Sequence, residues 1–489
     1  MKAAWLPLLV APALALALAP RAWAQEDWGG GSDWLGETAP VAAPDASDLK
    51  ADTSAWSLTG FARLDHALWV QRLADDPWAK GRQSLDLALE YGGKTLRLLL
   101  SGHGEWDAAY QVDRDAESPA HLDVYELRYL DGEQFVATSA GEFEATFGRQ
   151  IVAWGEGDAL SPLDVVNPRD GREPGLADLD DLRLAVLATR VGWFRDAHRI
   201  EVMAVHESYF GEQPSPLSDF SPFRAVLQRD DIPPAIATLL ASKTYRFAHT
   251  PDRFDGKAQQ WLGRWVYKGP GLDFGLYLAS VLDRQGVASL PDAATLLTAD
   301  TITLTLDHRR YTVAGLSGAT SEGSWLFKWE VAAELNKAYS TGNVDAPFNP
   351  VMPPSLGVAE GSLLTGMLGV TYTGISDLNL ALEVQKGVFL DEPVDVLFPA
   401  DAPIVALRGQ YLMLDQRLTI QAAATAIGAT AEYGGLVRAE ALYTLADGWK
   451  AGGGYIHYAT GDADAFGPFS AYTEHDRLFA KLRYDFRIL

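Results

Sequence analysis

The sequence predicts an all-β fold, a transmembrane antiparallel up-and-down β-barrel of about 18 strands, and any even number from 14 to 18 fits the pattern. Three observations predict it. The chain starts with an export signal, many segments alternate apolar and polar residues, and no run of eighteen apolar residues follows the signal. Since backbone polar groups must be satisfied inside a bilayer, a closed barrel is the remaining way to cross it.

The first 24 residues have the organisation of a secretory signal peptide. Met1-Lys2 is a basic start, Ala3 to Ala19 is almost wholly apolar, and Ala22-Trp23-Ala24 is a small-x-small cleavage pattern. The alternative, a membrane-anchoring helix, is disfavoured because three prolines interrupt the segment. The sequence therefore predicts export through a cleavable signal.

The composition of residues 25–54 predicts a disordered periplasmic leader, because this segment is rich in Gly, Ala, Pro and Asp and shows no periodicity. They contain an imperfect repeat, Asp27-Trp28-Gly29 and Asp33-Trp34-Leu35-Gly36. Two tryptophans are unusual in a solvated tail. A short motif that docks into the lumen or onto a periplasmic partner is the alternative.

Alternation with a period of two begins at Trp56 and recurs to the end of the chain. The segments Leu85 to Tyr91 and Leu96 to Leu100 form a hairpin around Gly92-Gly93, and Trp325 to Leu335 is the cleanest single strand. In a soluble sandwich the apolar faces would meet a second sheet, whereas in a barrel they meet lipid. The last strand, Leu478 to Ile488, resembles the C-terminal strand by which the barrel assembly machinery recognises outer-membrane barrels.

Short and long connections alternate, as they do when the two ends of a barrel face different compartments. Aromatic residues near the strand ends suit interfacial girdles; they are Trp69, Tyr91, Tyr129, Trp193, Phe194, Trp265, Tyr267, Tyr372 and Trp449. Residues 299–323 are ambiguous, since His308-Arg309-Arg310 fits a turn or a bulge. The predicted short connections are Tyr91–Lys94, Leu130–Gln134, Phe194–His198, Tyr267–Asp273, Gly374–Asp377, Leu414–Arg417 and Leu445–Trp449, and the long ones are 107–120, 150–181, 209–257, 285–298, 339–361, 389–402 and 460–473.

The segment 148–183, after the fifth predicted strand, is the main candidate site. Its density of Gly, Pro, Asp and Asn predicts a loop, and its Asp and Arg residues can form bidentate ion pairs that hold a loop folded inside a pore. A surface loop tied by its own Asx turns is the alternative. The candidate binding or constriction residues are Arg149, Trp154, Glu156, Asp158, Asp164, Asn167, Arg169, Asp170, Arg172 and Arg183.

Charges of both signs fall on the predicted inward faces of the strands. Mixed charge indicates a hydrated or salt-bridged interior rather than a filter for one sign of ion. The candidate lumen charges are Arg63, Asp65, Arg97, Lys328, Glu330, Arg483 and Arg487.

The run Gly148-Arg149-Gln150-x-x-x-Trp154-Gly155-Glu156, followed by Asp164-Val165-x-Asn167-Pro168-x-Asp170, resembles the signature of a domain-of-unknown-function family of proteobacterial outer-membrane barrels. Genes of that family often stand beside RND-type exporters and a companion outer-membrane lipoprotein. The resemblance implies an outer-membrane location in a Gram-negative bacterium, an exporter or other periplasmic partner, and cargo that is hydrophobic or lipid-like.

The loop 209–257 is a second candidate for function. Pro233-Pro234 precedes an apolar pattern at Ala235, Ile236, Leu239 and Leu240 that predicts a short helix. Such a loop can cap the barrel or line an entry site, or simply pack on its rim.

Composition narrows the function classes. The net charge of −25 opposes nucleic-acid binding. The absence of cysteine excludes disulfides, thiolate zinc sites and iron–sulfur clusters, and the nine histidines show no metal-ligand spacing. We therefore expect no cofactor, no metal and no enzyme activity.

The sequence favours an outer-membrane channel or transporter for small molecules that contacts membrane lipids. Two alternatives stay open. One is a barrel enzyme acting on outer-membrane lipids, with Ser, His and carboxylate groups assembled across strands. The other is a plugged structural or docking barrel that works with a periplasmic or exporter partner.

Overall fold

The computed structural model describes residues 55–488 except 112–118, 176–181, 222–223, 225–231, 290, 343–356, 392–395 and 463–466. The predicted signal peptide 1–24 and leader 25–54 lie outside the described residues. Across the described ranges, no helix is long and apolar enough to cross a membrane.

Eighteen antiparallel strands form one closed sheet, which confirms the predicted barrel and its strand number. Each strand pairs with the next along the barrel, and the sheet closes where Thr59–Trp69 of the first strand pairs with Arg477–Arg487 of the last. The barrel strands are β1 (Ala55–Trp69), β2 (Trp78–Gly92), β3 (Leu96–Asp107), β4 (Leu127–Ala140), β5 (Phe143–Gln150), β6 (Val186–Arg195), β7 (His198–Val205), β9 (Gln260–Gly269), β10 (Leu272–Leu282), β13 (Arg310–Glu322), β14 (Trp325–Thr341), β15 (Gly357–Ile375), β16 (Leu378–Phe389), β17 (Ile404–Met413), β18 (Leu418–Ile427), β19 (Gly435–Ala446), β20 (Trp449–Ala459) and β21 (Arg477–Arg487).

The strand bounds place all the short turns on one rim, called here the short-turn rim, together with the start of β1 and the end of β21. Four two-residue turns contain a glycine with positive φ, at Gly141, Gly271, Gly323 and Gly448, as tight hairpins require. The opposite, long-loop end carries the connections 70–77, 108–126, 151–185, 206–259, 283–309, 342–356, 390–403, 428–434 and 460–476.

One predicted short connection is wrong. Leu130–Gln134 contains Asp131-Gly132, whose composition predicts a turn, but it lies inside β4. The register between β3 and β4 shifts there, so that Gly132 and Glu133 together lie opposite Ser101. The turn-like residues form a bulge, and the chain turns at Gly141-Glu142 instead.

Two aromatic rows and an apolar band form the outer surface of the barrel. Leu100, Leu278 and Leu368 are exposed in the middle of their strands. Trp56, Tyr91, Trp325, Tyr372, Trp449 and Tyr484 lie near the short-turn rim, and Trp78, Trp106, Tyr129 and Trp261 lie near the long-loop end. This is the surface of a transmembrane barrel.

Two of the predicted girdle aromatics face inward. Trp69 is only 3% exposed and packs on Phe220 and His475. Phe194 lies under the guanidinium of Arg199 at 4.5 Å. Both occupy positions in their strands that alternate with the lipid-facing positions, so their side chains face the lumen. A position near a strand end therefore does not decide whether an aromatic side chain faces lipid or lumen.

A small second sheet lies in the connections of the long-loop end. It consists of β8 (Thr244–Thr250), β11 (Val287–Ser289) and β12 (Thr301–Asp307), and β8 pairs in parallel with β12. The ambiguous region therefore divides: β12 belongs to this sheet, and β13 to the barrel. The predicted helix after Pro233 is present as Pro234–Ala241, and other short helices are Pro119–Tyr125 and Ala293–Thr298.

The largest packed cores lie inside the barrel. One contains Trp154, Leu163, Val165 and Val166 of the connection after β5, packed against inward residues of β6, β7, β9, β10, β13 and β14. The barrel interior is thus filled by its own chain on this side.

Candidate functional site

The connection 151–185, called here the inward loop, lies among lumen-facing side chains. Of its described residues up to Gly175, Ala153 alone is exposed, and Leu160, Leu163 and Asn167 have no accessible surface. The described part of the inward loop is therefore packed against the barrel wall.

Arg149 and Asn167 fix the base of the inward loop. The guanidinium of Arg149, at the end of β5, donates two hydrogen bonds of 2.9 Å to the carboxylate of Glu207. The side-chain amide of Asn167 donates to the carbonyls of Gln150 and Leu184 at 2.9 Å each, and its oxygen accepts the N–H of Val152 at 2.6 Å. Asn167 therefore ties the two ends of the loop together.

Two wall carboxylates hold the first half of the loop, residues 153–163, by its backbone. Glu330 of β14 accepts the N–H groups of Glu156 and Gly157 at 2.5 and 2.7 Å, and the hydroxyl of Ser161 at 2.9 Å. Glu383 of β16 accepts the N–H groups of Asp158, Ala159 and Leu160 at 2.7 to 2.8 Å. Consecutive N–H groups that converge on one carboxylate form an anion-binding nest.

Glycine is required where the loop approaches the wall most closely. A Cβ on Gly155, whose φ is +92°, would lie 2.4 Å from a carboxylate oxygen of Glu330. A Cβ on Gly157 would lie 2.1 Å from the carbonyl oxygen of Leu160. The Trp154-Gly155-Glu156-Gly157 sequence is therefore explained by contact with β14 and by a tight turn of the loop.

Side chains of the first half contact β14 again and reach two more wall strands, β13 and β17. Asp158 forms ion pairs with Lys328 of β14 and, at 3.1 Å, with Arg408 of β17. Glu156 accepts a hydrogen bond of 3.3 Å from Ser317 of β13, and burial raises the pKa of its carboxyl group. A cavity remains between Asp158, Glu383 and the wall residues Ala381, Ala406, Arg408, Ala424 and Thr425.

Trp154 packs on the wall formed by β9 and β10. Its ring lies 5.3 Å from the ring of Tyr277, and the guanidinium of Arg264 lies over it at 5.8 Å. Arg264 also donates to the carbonyl of Ala153 at 3.1 Å. Trp154 therefore serves as an anchor in the packed core.

Asp164 is the charged centre of the loop. It is 1% exposed and accepts hydrogen bonds from Arg169 at 2.9 Å and Arg183 at 3.1 Å. Burial alone would raise the pKa of its carboxyl group, but the two guanidinium groups outweigh burial and hold that pKa below its ordinary value. Asp164 is therefore a structural anion.

The second half, residues 170–175, is held through its charged side chains. Arg172 is fully buried and donates to Glu105 of β3 at 2.6 Å and to Asp170 at 2.9 Å. Glu173 forms ion pairs with Lys80 at 2.8 Å and Arg82 at 2.7 Å, both on β2. Burial favours its neutral form, but Arg82 and Lys80 prevail and lower its pKa to about 2.

Wall residues near the end of the barrel sheet also hold this half. Arg477 of β21 donates to the carbonyl of Pro174 at 2.8 Å, and Tyr458 of β20 donates to the same oxygen. Arg438 of β19 donates to the carbonyl of Gly175 at 3.4 Å. The loop thus touches strands distributed around most of the barrel.

The predicted candidates fall into two groups. The candidates of the inward loop lie close together, and most of them contact one another or residues of the barrel wall. Of the lumen charges, Lys328 and Glu330 contact the loop, whereas Arg63, Asp65, Arg483 and Arg487 lie together on β1 and β21, nearer the short-turn rim. Arg97 lies on β3 and forms an ion pair of 2.7 Å with Glu90.

Sequence reasoning missed most of the wall partners. Glu383, Glu207, Glu105, Lys80, Arg82, Arg408 and Arg477 hold the loop and were not among the candidates. Glu207 lies in the connection after β7. The inward parity of the others on their amphipathic strands could be predicted from the sequence, but parity does not say which residue contacts which loop.

The described residues contain no cluster of His, Asp and Glu side chains with the arrangement of a metal site. The arrangement is instead a lumen crossed by a loop with charges of both signs around it.

The family model described as "Protein of unknown function (DUF1302)" matches residues 107–387, which include the inward loop. No curated protein matches the sequence. Solved structures of similar fold include OccAB3 of Acinetobacter baumannii, with 11% identity and a TM-score of 0.48 over 90% of this chain and 100% of that one.

Two Pseudomonas aeruginosa structures give similar values. OccK5 (OpdH) has 10% identity and a TM-score of 0.45 over 90% of this chain and 99% of that one. OpdK with vanillate has 10% identity and a TM-score of 0.47 over 89% and 99%.

Proposed function

The chain belongs to the DUF1302 family of proteins of unknown function, and we propose that it is an outer-membrane channel or transporter for small molecules whose inward loop constricts the lumen. One observation carries the proposal. A single connection binds opposite parts of the wall, through Asp158 to Arg408 on one side and through Arg172 to Glu105 on the other. Solutes that pass such a loop are selected by the gaps and charges beside it.

The cargo class is the finer part of the proposal. The sequence resemblance implies hydrophobic or lipid-like compounds, whereas the charged wall residues favour hydrated solutes. The cavity beside Asp158 combines both kinds of lining, since Arg408 and Glu383 lie next to Ala381, Ala406 and Ala424. Small amphipathic molecules with one polar group fit this combination best.

The location follows from the barrel and from the expected export signal. We place the protein in the outer membrane of a Gram-negative bacterium, with its short turns in the periplasm. An RND-type exporter or other periplasmic partner is implied by the resemblance alone, and co-purification from cross-linked membranes tests it. The proposed role is not enzymatic, so release of fatty acids from lipids by the purified protein would contradict it.

The test of the channel uses the absence of cysteine in this chain. Ala153→Cys introduces one thiol at the exposed position of the inward loop. Purified protein in planar bilayers should conduct, and modification of this thiol with charged reagents of increasing size should block current progressively. Liposome swelling with hydrophilic and amphipathic solutes then defines the cargo.

The matched control is Glu142→Cys, which places a thiol in an exposed turn at the short-turn rim. Its modification should leave the current unchanged. Absence of both conductance and solute uptake would disprove the channel. Conductance that no reagent at Ala153→Cys alters would disprove the constriction.

A further inference from the structure

Part of the long connections crosses the long-loop end of the barrel. We call residues 206–221 together with the small sheet of β8, β11 and β12 the cap. Residues 206–221 begin where β7 ends. Farther along, Asp219 forms an ion pair of 3.0 Å with Arg72, between β1 and β2, and the carbonyl of Phe220 accepts the hydroxyl of Tyr472, between β20 and β21, at 3.0 Å. Since β7 lies nearly opposite β20 and β1 in the closed sheet, the cap lies across the mouth of the barrel.

The small sheet belongs to the same structure as residues 206–221. Leu217 packs against Tyr245 of β8 and against Ile302 and Leu304 of β12, and these three sheet residues are buried. Strands β8 and β12 pair along the whole length of β12. The cap therefore has a small packed core of its own.

Three rings join the cap to the barrel rim beside β10 and β13. Nδ1 of His249, near the end of β8, lies 2.9 Å from Nε2 of His308, which lies between β12 and β13. Nδ1 of His308 lies 2.8 Å from the carbonyl oxygen of Asp283, the residue after β10. The ring of Phe210 stacks on His308 with the ring centroids 3.4 Å apart. We call Phe210, His249 and His308 the histidine latch.

The contacts of His308 require a neutral ring. A carbonyl oxygen only accepts hydrogen bonds, so Nδ1 of His308 carries the hydrogen in the contact with Asp283. In the neutral ring Nε2 then has a free lone pair, which accepts the N–H of His249. A second proton on His308 must bind to Nε2, where it competes with that N–H. His249 is exposed, and once it is protonated both of its nitrogens carry hydrogen and neither can accept. Two protonated rings therefore cannot keep this contact.

The charged groups around the histidine latch have partners of opposite charge. Among the described residues, no carboxylate forms an ion pair with either histidine. Arg284, next to Asp283, acts on Asp164 of the inward loop. The neighbouring ion pairs are Asp283 with Lys337 at 3.6 Å, Asp307 with Arg309 at 2.9 Å and Glu207 with Arg253 at 3.0 Å.

Burial also opposes a charge on His308, which is 2% exposed. Burial is the main cause that lowers the pKa of this ring to about 3; the hydrogen bond to Asp283 opposes the shift, and His249 adds to it. A histidine in a free, hydrated position has a pKa of about 6.5. The contact therefore has its full strength above that value, and it is weakened as pH falls from there towards the lowered pKa.

We propose that the histidine latch is an acid-sensitive device, in which protonation of His308 separates its ring from His249 and loosens the cap over the mouth of the barrel. At neutral pH the latch is intact and the cap stays in place. This inference goes beyond the proposed function, because the cap can respond to acid whether or not a solute passes below it. Its test therefore measures the position of the cap and not a current.

The experiment measures the distance between the cap and the short-turn rim in the full chain. Thr301→Cys at the start of β12 and Glu142→Cys in the turn after β4 are both exposed, and their thiols are unique because the chain contains no cysteine. Double electron–electron resonance between spin labels on these thiols should give one narrow distance distribution at pH 7.5. A second or broader population should appear at pH 4.5. The ratio of loosened to latched protein should rise about tenfold per pH unit below 6.5, and so about 100-fold by pH 4.5.

Two substitutions in the labelled chain test the role of the histidines. His308→Gln replaces the ring by an amide that does not titrate, so the distances should no longer depend on pH. His249→Gln leaves His308 in place but supplies a carbonyl oxygen that can accept from a protonated His308, so the response should become weaker. Each variant should keep the native distance at pH 7.5, which shows that it folds.

The control is His198→Gln, an exposed histidine at the short-turn rim, which should leave the acid response unchanged. Distances in the otherwise native chain that stay constant from pH 7.5 to pH 4.5 would overturn the proposal. So would an undiminished acid response in His308→Gln or, if that variant does not keep the native distance at pH 7.5, in His249→Gln.

Discussion

The two halves of the inward loop are attached to the same barrel by different chemistry. Residues 153–163 offer backbone N–H groups to the wall carboxylates Glu330 and Glu383. Residues 170–175 offer the side chains of Arg172 and Glu173, which form ion pairs with wall residues of the opposite charge. A backbone contact tolerates changes of loop side chain, whereas a side-chain contact does not. Two side chains of the first half, Trp154 and Asp158, also contact the wall, and the carbonyls of Pro174 and Gly175 in the second half accept wall hydrogen bonds. Apart from these contacts, sensitivity to substitution should lie in the wall for the first half and in the loop for the second.

The largest effect is expected from Arg172→Met. The change removes a fully buried cation and leaves Glu105 and Asp170 without it, which should lower the free energy of unfolding by about 3–5 kcal/mol. Urea unfolding in detergent measures this. Arg195→Met is the control, because the ion pair of that arginine with Glu142 is exposed and its loss should cost no more than about 1 kcal/mol. Equal losses in both variants would contradict the buried-pair account.

The next effect is expected from Glu383→Ala. Three loop N–H groups lose their acceptor, which should weaken attachment of the first half by about 1–3 kcal/mol. Single-channel current should rise as the loop moves from the wall. Gln385→Ala, two residues along the same strand, and Ala159→Ser, in the loop itself, should leave the current unchanged. A larger effect from Ala159→Ser than from Glu383→Ala would reverse the comparison.

A smaller effect is expected from Asn167→Ala, because this residue belongs to neither half. It joins Val152, Gln150 and Leu184 at the base of the loop, and its loss should destabilise the protein by roughly 1–2 kcal/mol. Hydrogen exchange should increase in both halves alike. Exchange that increases in one half only would show that the halves are anchored independently.

The last prediction concerns the pH dependence of stability that Glu173 causes, which should be absent near neutral pH. Its pKa in the folded protein is lowered to about 2, below the roughly 4.3 of an unfolded chain. A lowered carboxyl pKa stabilises the folded state above the unfolded value, and the contribution is lost as pH falls through the folded value. The stability difference between wild type and Glu173→Gln should be constant from pH 8 to pH 5 and shrink from there towards pH 2. A difference that shrinks above pH 6 would contradict this assignment.

Much of the fold could be predicted from the sequence because a membrane barrel imposes a simple pattern of hydrophobicity on its strands. Lipid outside and water or protein inside force every second residue to be apolar, so Trp325 to Leu335 and Leu478 to Ile488 were readable as strands. Turn chemistry was less reliable. Asp131-Gly132 has the composition of a turn, yet it forms a bulge inside β4, because the pairing of β3 with β4 continues past it.

Only the loop residues of the candidate site could be predicted from the sequence, and most of their wall partners could not. Arg149, Asp164, Asn167 and Arg172 stand out because loop residues with such chemistry need partners, and several of those partners lie within the loop itself. Glu383 and Arg408 are separated from Asp158 by 225 and 250 residues. Nothing local distinguishes them from other inward charges on their strands.

The sequence by itself determined the export signal pattern, the two-residue alternation and the alternation of short and long connections. Each of these follows from interactions between a residue and its solvent or its near neighbours in the chain. Only the tertiary structure decided which wall carboxylates receive the loop, and that charges of β1 and β21 lie side by side. Those contacts depend on the register in which a sheet of eighteen strands closes, and closure brings together residues that no local pattern relates.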